Sequence, residues 1–230
     1  MDLHRRGLVF WHNAALITFG LVAIGIMWTV MSAGFSSSEV MKDVIEDAVV
    51  DSSEALQVVG KMTGRGIPDA NQVTVTATPL TTTANGIINT GTENISVTYR
   101  IIKDGSYTIT QENIYAGSLY GKTYNSVGEA LEEAKKQGLI RINPLTDTEK
   151  PDTTSAFFYW IIDTDGNKYM QSGEIVNMVI VYSDRDRPAT GEYMKIEVSE
   201  PLGTLLSLER NVPNVSSSIL DFGGKVKKDT

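Results

Sequence analysis

The chain contains no cysteine. That excludes disulfides and thiolate metal sites. Its only histidines are His4 and His12, so everything beyond residue 12 lacks both His and Cys. A Ser-His-Asp triad, a Cys-His pair and a His-rich zinc site therefore cannot be assembled in the body of the chain. No glycine-rich phosphate-binding motif of the Walker or dinucleotide type is present,. Cations are also short: 20 Lys and Arg stand against 28 Asp and Glu, a formal net charge of −8. An acidic surface argues against nucleic acid as a partner and suits a solvated exterior. No internal repeat is evident. These absences together argue against an enzyme.

Charge is missing altogether over one long run. From Gly7 to Ser38 there is no Asp, Glu, Lys or Arg. A bilayer core needs about 20 apolar residues in a helix, whereas a secretory signal has roughly 7–15 followed by a small-residue cleavage site. This run is long enough to span. Arg5 and Arg6 precede it, and Glu39, Asp43, Glu46 and Asp47 follow it. The positive-inside rule then leaves the first residues in the cytoplasm and places the rest outside.

Proline is absent from Leu8 to Gly60. Val40, Val44 and Ala48 recur at i+4, with Met41, Ile45, Val49, Ser52 and Leu56 beside them. That is an amphipathic helix of period 3.6. One helix over 8–59 would be roughly 75–80 Å long at 1.5 Å per residue. A glycine-bearing linker over 60–68 would end it,. A rod that is apolar all round in its first half and one-sided in its second suits helices that bundle with copies of themselves. The stripe Leu16, Phe19, Val22, Ile26 and Val30 is the expected buried seam.

Beyond residue 68 the texture is β. "QVTVTATPL", "NISVTYRII", "SYTITQ", "SAFFYWII", "IVNMVIV", "YMKIEVS" and "TLLSLERNV" are short β-branched and aromatic runs broken by Gly, Pro, Asp and Asn. Such spacing reads as an antiparallel sandwich or open barrel. Asp104-Gly105 marks a hairpin between two alternating runs,. One helix interrupts the strands: Ser126 and Glu129 have capping-box spacing, Glu132 and Lys136 form an i,i+4 pair, and Gly138 ends it,. The Thr-, Gly- and Asn-rich stretch 78–92 reads as an exposed loop.

Two features suggest sites. "DTDGNKYMQSGE" places oxygens on Asp163, Asp165 and Asn167 at alternate positions and ends on Glu174, as a calcium loop would,. Its glycine falls at the fourth place rather than the sixth, and Asp165-Gly166 alone accounts for it as a hairpin turn. Asn94-Ile95-Ser96 and Asn214-Val215-Ser216 are N-glycosylation acceptor tripeptides,. No cofactor is required; a structural calcium ion and N-linked glycans are the groups for which the sequence offers a place.

The two ends of the chain resemble archaeal flagellins, the filament subunits of the archaellum. "RRG" before the apolar run resembles their class III signal peptide, and "MSAGF" resembles their usual "TAGF" or "SAGF". "FFYWIIDTDGNKYMQSGEIVNMVIVY", "RPATGEYMKIEVSEPLGTLLSLERNVP" and "ILDFG" resemble their C-terminal domain. The likeness covers roughly residues 1–59 and 155–223 and leaves 69–150 as a variable middle region. It implies processing at Arg5, Arg6, Gly7 and Leu8, with the cut after Gly7 by a prepilin-type signal peptidase. His12 then stands fifth in the mature chain, where type IV pilins carry Glu. The implied fold is α+β: a signal peptide (1–7), a long N-terminal helix (8–59), and an outer antiparallel immunoglobulin-like β-sandwich (69–230). The implied function is that of a structural subunit of an extracellular motility filament. It would be held in the cytoplasmic membrane before assembly, handled by membrane assembly machinery, and then polymerised with copies of itself. An adhesive type IV-like pilin and a single-pass anchored surface domain are the alternatives.

Overall fold

The computed structural model describes residues 55–83, 86–103, 106–201 and 203–223. The proposed signal peptide and nearly all of the expected helix, including the stripe from Leu16 to Val30, lie outside the described residues, as does the Asp104-Gly105 turn. Among the described residues no helix is long and apolar enough to cross a membrane.

Among the described residues, thirteen strands and one α-helix make three layers. The larger sheet contains β1 (Leu56–Val58), β2 (Thr63–Ile67), β3 (Gln72–Thr82), β7 (Tyr115–Thr123), β8 (Ser155–Ile162), β10 (Ile175–Val181) and β13 (Ile219–Asp221). Its order is β13-β2-β3-β10-β8-β7, and β1 pairs with the end of β3, Leu56 opposite Thr82. The second sheet runs β12-β11-β5-β6, from β12 (Gly203–Asn211), β11 (Tyr193–Glu200), β5 (Ser96–Lys103) and β6 (Ser106–Gln111). A small ribbon pairs β4 (Ile87–Asn89) with β9 (Tyr169–Gln171). Helix α1 spans Val127–Lys136.

Alternation decides the layering. In β8, Ala156, Phe158 and Trp160 point into a core shared with Val97, Tyr99 and Ile101 of β5 and Met194, Ile196 and Val198 of β11. Phe157 and Tyr159 point the other way, onto Val127, Ala130, Leu131 and Ala134 of α1. The larger sheet is thus covered on both faces. This is why "AFFYW" and "VNMVIV" read as nearly continuous buried runs,.

Helix α1 begins as its sequence predicts. Ser126 Oγ accepts from the Glu129 N–H at 3.1 Å, and Glu129 reaches back to the N–H of Asn125 at 3.2 Å,. It ends at Gly138 (φ 76°), where the Gly138 N–H donates to Lys135 O and the Leu139 N–H to Ala134 O, the Schellman arrangement. Lys136 lies 4.0 Å from Glu133, at i,i+3, rather than against Glu132.

Four sequence expectations need correction. The body is not wholly antiparallel: β7 and β8 are parallel, because α1 carries the chain back across the sheet between them,. The helix expected over 8–59 does not include its last residues, since Leu56–Val58 is strand β1. The expected linker 60–68 contains β2, whose "TGRGI" allows close approach. A Cβ on Gly64 would lie 2.6 Å from the Phe222 ring, and one on Gly66 would lie 2.7 Å from Val215. The Thr-rich stretch is no exposed loop: Thr78 and Thr82 are buried in β3 and Thr90 is fully buried. Thr90 Oγ1 donates to Lys168 O at 2.8 Å, strand pairing satisfies the backbone of Thr78 and Thr82, and the buried Thr82 hydroxyl is left without a partner among the described residues.

Candidate functional site: the Asp163–Glu174 turn

β8 leaves the sheet at Ile162 and returns as β10 at Ile175, with β9 between. The connection is organised by side-chain oxygens on backbone N–H groups, the behaviour that makes Asp and Asn turn formers. Asp163 Oδ1 accepts from the Gly166 N–H at 2.8 Å and the Asp165 N–H at 3.3 Å. Asp165 Oδ1 accepts from the Asn167 N–H at 3.1 Å, and its Oδ2 accepts from Gln171 Nε2 at 2.8 Å and from Asn167 Nδ2. Asn167 Oδ1 accepts from the Tyr169 N–H at 2.5 Å. Gly166 adopts φ 71°, a left-handed conformation that glycine enters without steric cost,.

Glu174 is the buried member, with no exposed surface. Its Oε1 accepts from Thr164 N at 2.9 Å and Thr164 Oγ1 at 2.7 Å, and its Oε2 accepts from Gln171 N at 3.0 Å. A buried carboxylate needs such partners to offset desolvation. Both ends of the turn are thereby tied to one side chain.

The structure does bring Asp163, Asp165 and Glu174 together: one carboxylate oxygen of each lies within 4.8 Å of the others. These are hard oxygen donors of the kind calcium takes. Asn167 turns its oxygen to its own backbone instead. Hydrogen bonds already engage each of the three carboxylates, so the hairpin closes on protein donors. Thr164 and Gln171, which hold Glu174, were not singled out by sequence spacing. A side chain folding back across ten residues leaves no periodic signal.

Of the two acceptor asparagines, Asn214 is exposed between β12 and β13. Asn94 is half-buried in a turn, its N–H donating to Gly91 O at 3.0 Å. Arg5, Arg6, Gly7 and Leu8 lie outside the described residues.

No family model and no curated protein sequence matches the chain. Among solved structures, the flagellin FlaB1 of Methanocaldococcus jannaschii aligns with a TM-score of 0.54 at 12% identity, over 72% of this chain and 94% of that one. The chain shares the fold of an archaeal flagellin. The archaeal flagellum of Methanospirillum hungatei aligns at TM-score 0.39 and 10% identity, over 95% of this chain and 97% of that one. The FlaF–FlaG stator complex of Sulfolobus acidocaldarius aligns at 0.34 and 14%, over 76% and 98%. The middle region 69–150, which resembled nothing in sequence, is built into the same sheets as the rest of the domain: β3 lies inside the larger one and β5 inside the smaller.

Proposed function

We propose that this chain is a structural subunit of an extracellular motility filament and not an enzyme. The observation that carries the reading is a domain of flagellin-like fold downstream of an uncharged, membrane-length segment preceded by Arg5-Arg6-Gly7. In this reading a prepilin-type peptidase cuts between Gly7 and Leu8. The segment from Leu8 up to strand β1 holds the precursor in the membrane, then packs against its copies in the filament core through Leu16, Phe19, Val22, Ile26 and Val30. Small residues at Gly20, Ala23, Gly25, Ser32, Ala33 and Gly34 let neighbouring helices approach closely,. Asn94 and Asn214 are the proposed glycan acceptors, and Asp163, Asp165 and Glu174 are the residues that would hold a calcium ion.

Electron microscopy of material sheared from cells, with mass spectrometry of its subunit, tests this. The expected result is filaments whose subunit begins at Leu8. A cell-surface protein that retains Met1 would mark an anchored domain instead. Processed filaments on cells that adhere but do not swim would mark a pilin. Val22→Asp should abolish filaments, because an unpaired buried charge is strongly unfavourable.

A further inference from the structure

We propose that the two open edges of the four-stranded sheet pair with each other between neighbouring copies, β6 of one against β12 of the next. This rests on the filament reading and names a contact within it. Among the described residues, neither β6 nor β12 has a strand on its outer side. Free edges are commonly blunted by charge, proline or extreme shortness. β6, "SYTITQ", has six residues, no charge and no proline, and is exposed along most of its length. One register shift lies at its hairpin end. Beyond it Ile109, Thr110 and Gln111 pair regularly with Ile101, Arg100 and Tyr99. β12 is longer still, at nine residues.

Geometry favours the two different edges meeting. All neighbours in this sheet are antiparallel and the strands number four, so β6 and β12 run in opposite directions. A second copy placed beside the first therefore continues the antiparallel pattern across the junction. A contact between two different surfaces is heterologous and does not close on itself, which is what a filament needs.

Side chains agree with one register, Ile109 opposite the neighbour's Leu208. It places Ile109, half-buried at the open edge, against an apolar residue of the same inner face. It places exposed Thr110 opposite exposed Ser207 and exposed Thr108 opposite Glu209 on the outer face. The outer-face charges there are already paired within each copy, Arg100 with Glu197 and Glu209 with Lys195. Glu209 sits at the β12 edge, 3.7 Å from Lys195, whereas the cation Arg100 lies one strand in from the β6 edge, over the Tyr107 ring at 5.8 Å. The neighbour's Glu209 would arrive beside that Tyr107–Arg100 pair.

The absence of cysteine makes the test clean. The full chain carrying both Thr110→Cys and Ser207→Cys is expressed in its cells, and the sheared filaments are mildly oxidised. Directly opposed antiparallel residues lie about 4.5–5.5 Å apart at Cα, within disulfide reach. The expected result is a ladder of dimers, trimers and longer species on a non-reducing gel, with each single variant remaining monomeric. Filaments of the double variant without a ladder would overturn the proposal, as would dimers from Thr110→Cys alone, which would mean that two β6 edges meet. A second comparison is independent of cysteine. Thr108→Glu, facing Glu209, should lower filament yield at least tenfold relative to Thr108→Lys, and equal yields would overturn the pairing. Wild-type filaments are the control. Their absence would sink the filament reading, and their presence without a ladder sinks only the edge contact.

Discussion

The two sheets of this domain differ in how many faces they bury, and the difference explains their sequences. The larger sheet lies between the smaller sheet and α1, so its central strands are apolar at almost every position: β10 is buried from Val176 to Val181. The smaller sheet buries one face only. β11 alternates Met194, Ile196 and Val198 inward with Tyr193, Lys195 and Glu197 outward. Its outer face is held by polar pairs, across strands between Arg100 and Glu197 and from the Tyr193 hydroxyl to Glu209 at 2.6 Å, and along β11 between Lys195 and Glu197 at 3.1 Å. Strand composition thus reports the number of covered faces before it reports topology.

The sharpest way to break this comparison is to truncate each face in turn. Phe158→Ala, toward the smaller sheet, and Phe157→Ala, toward α1, should each cost about 3–5 kcal/mol, because both rings are fully buried,. Thr98→Ala, on the open face of the smaller sheet, should stay within about 0.5 kcal/mol. Urea denaturation measures all three. A near-neutral Phe157→Ala would mean that α1 does not build a second core.

Where β8 leaves the larger sheet, backbone conformation is the test. Gly166→Val forces a β-branched residue into the left-handed region at φ 71° and should cost about 1–2 kcal/mol,. A change at exposed Ser172, nearby in the same connection, should be silent by the same measurement. The cover itself is weakened by Ser126→Ala, which removes the cap on α1 and should cost about 1 kcal/mol,. Thermal unfolding followed at 222 nm would show the loss.

The charged face should respond to acid. Burial tends to raise the Glu197 carboxyl, but its bonds to Lys195 and Arg100 outweigh this and hold it below the usual Glu value. Lys195 is raised by its bond to Glu197. A depressed carboxyl contributes stability that is complete above its unfolded value, near about 4.3, and is lost as pH falls through the folded value. The side chains are about a quarter exposed, so the effect should be under about 1 kcal/mol,. Glu197→Gln should flatten that part of the acid limb. The smallest expected effect is that of calcium. Because Asp163, Asp165 and Glu174 are already hydrogen-bonded, chelator should leave the melting temperature unchanged. A calcium-dependent rise removed by Asp163→Ala would show that a bound ion stabilises the fold by mass action.

Local chemistry was legible. The Ser126–Glu129 cap, the Gly138 stop, the Asp165-Gly166 turn and most strands beyond residue 68 follow from short-range preferences that tertiary packing did not override. Boundaries were less so. Leu56–Val58 continues a helical periodicity, yet pairs with Thr82, Thr81 and Leu80. An amphipathic pattern is silent about a strand edge waiting far along the chain. Threonine misled for the same reason: 78–92 has a loop's composition, but Thr78 and Thr82 lie in a two-sided sheet.

By itself the sequence determined what the body cannot do. Without cysteine or histidine past residue 12, no choice of fold could have assembled thiolate or imidazole chemistry there. It also determined the kinds of elements, because caps, turns and alternation act over a few residues. Only the tertiary structure decided that α1 covers the larger sheet, that β7 lies parallel to β8, and that Glu174 is buried on Thr164 and Gln171. Those are choices among surfaces distant along the chain. They were settled by which apolar faces could be buried together while every buried carboxylate kept its donors.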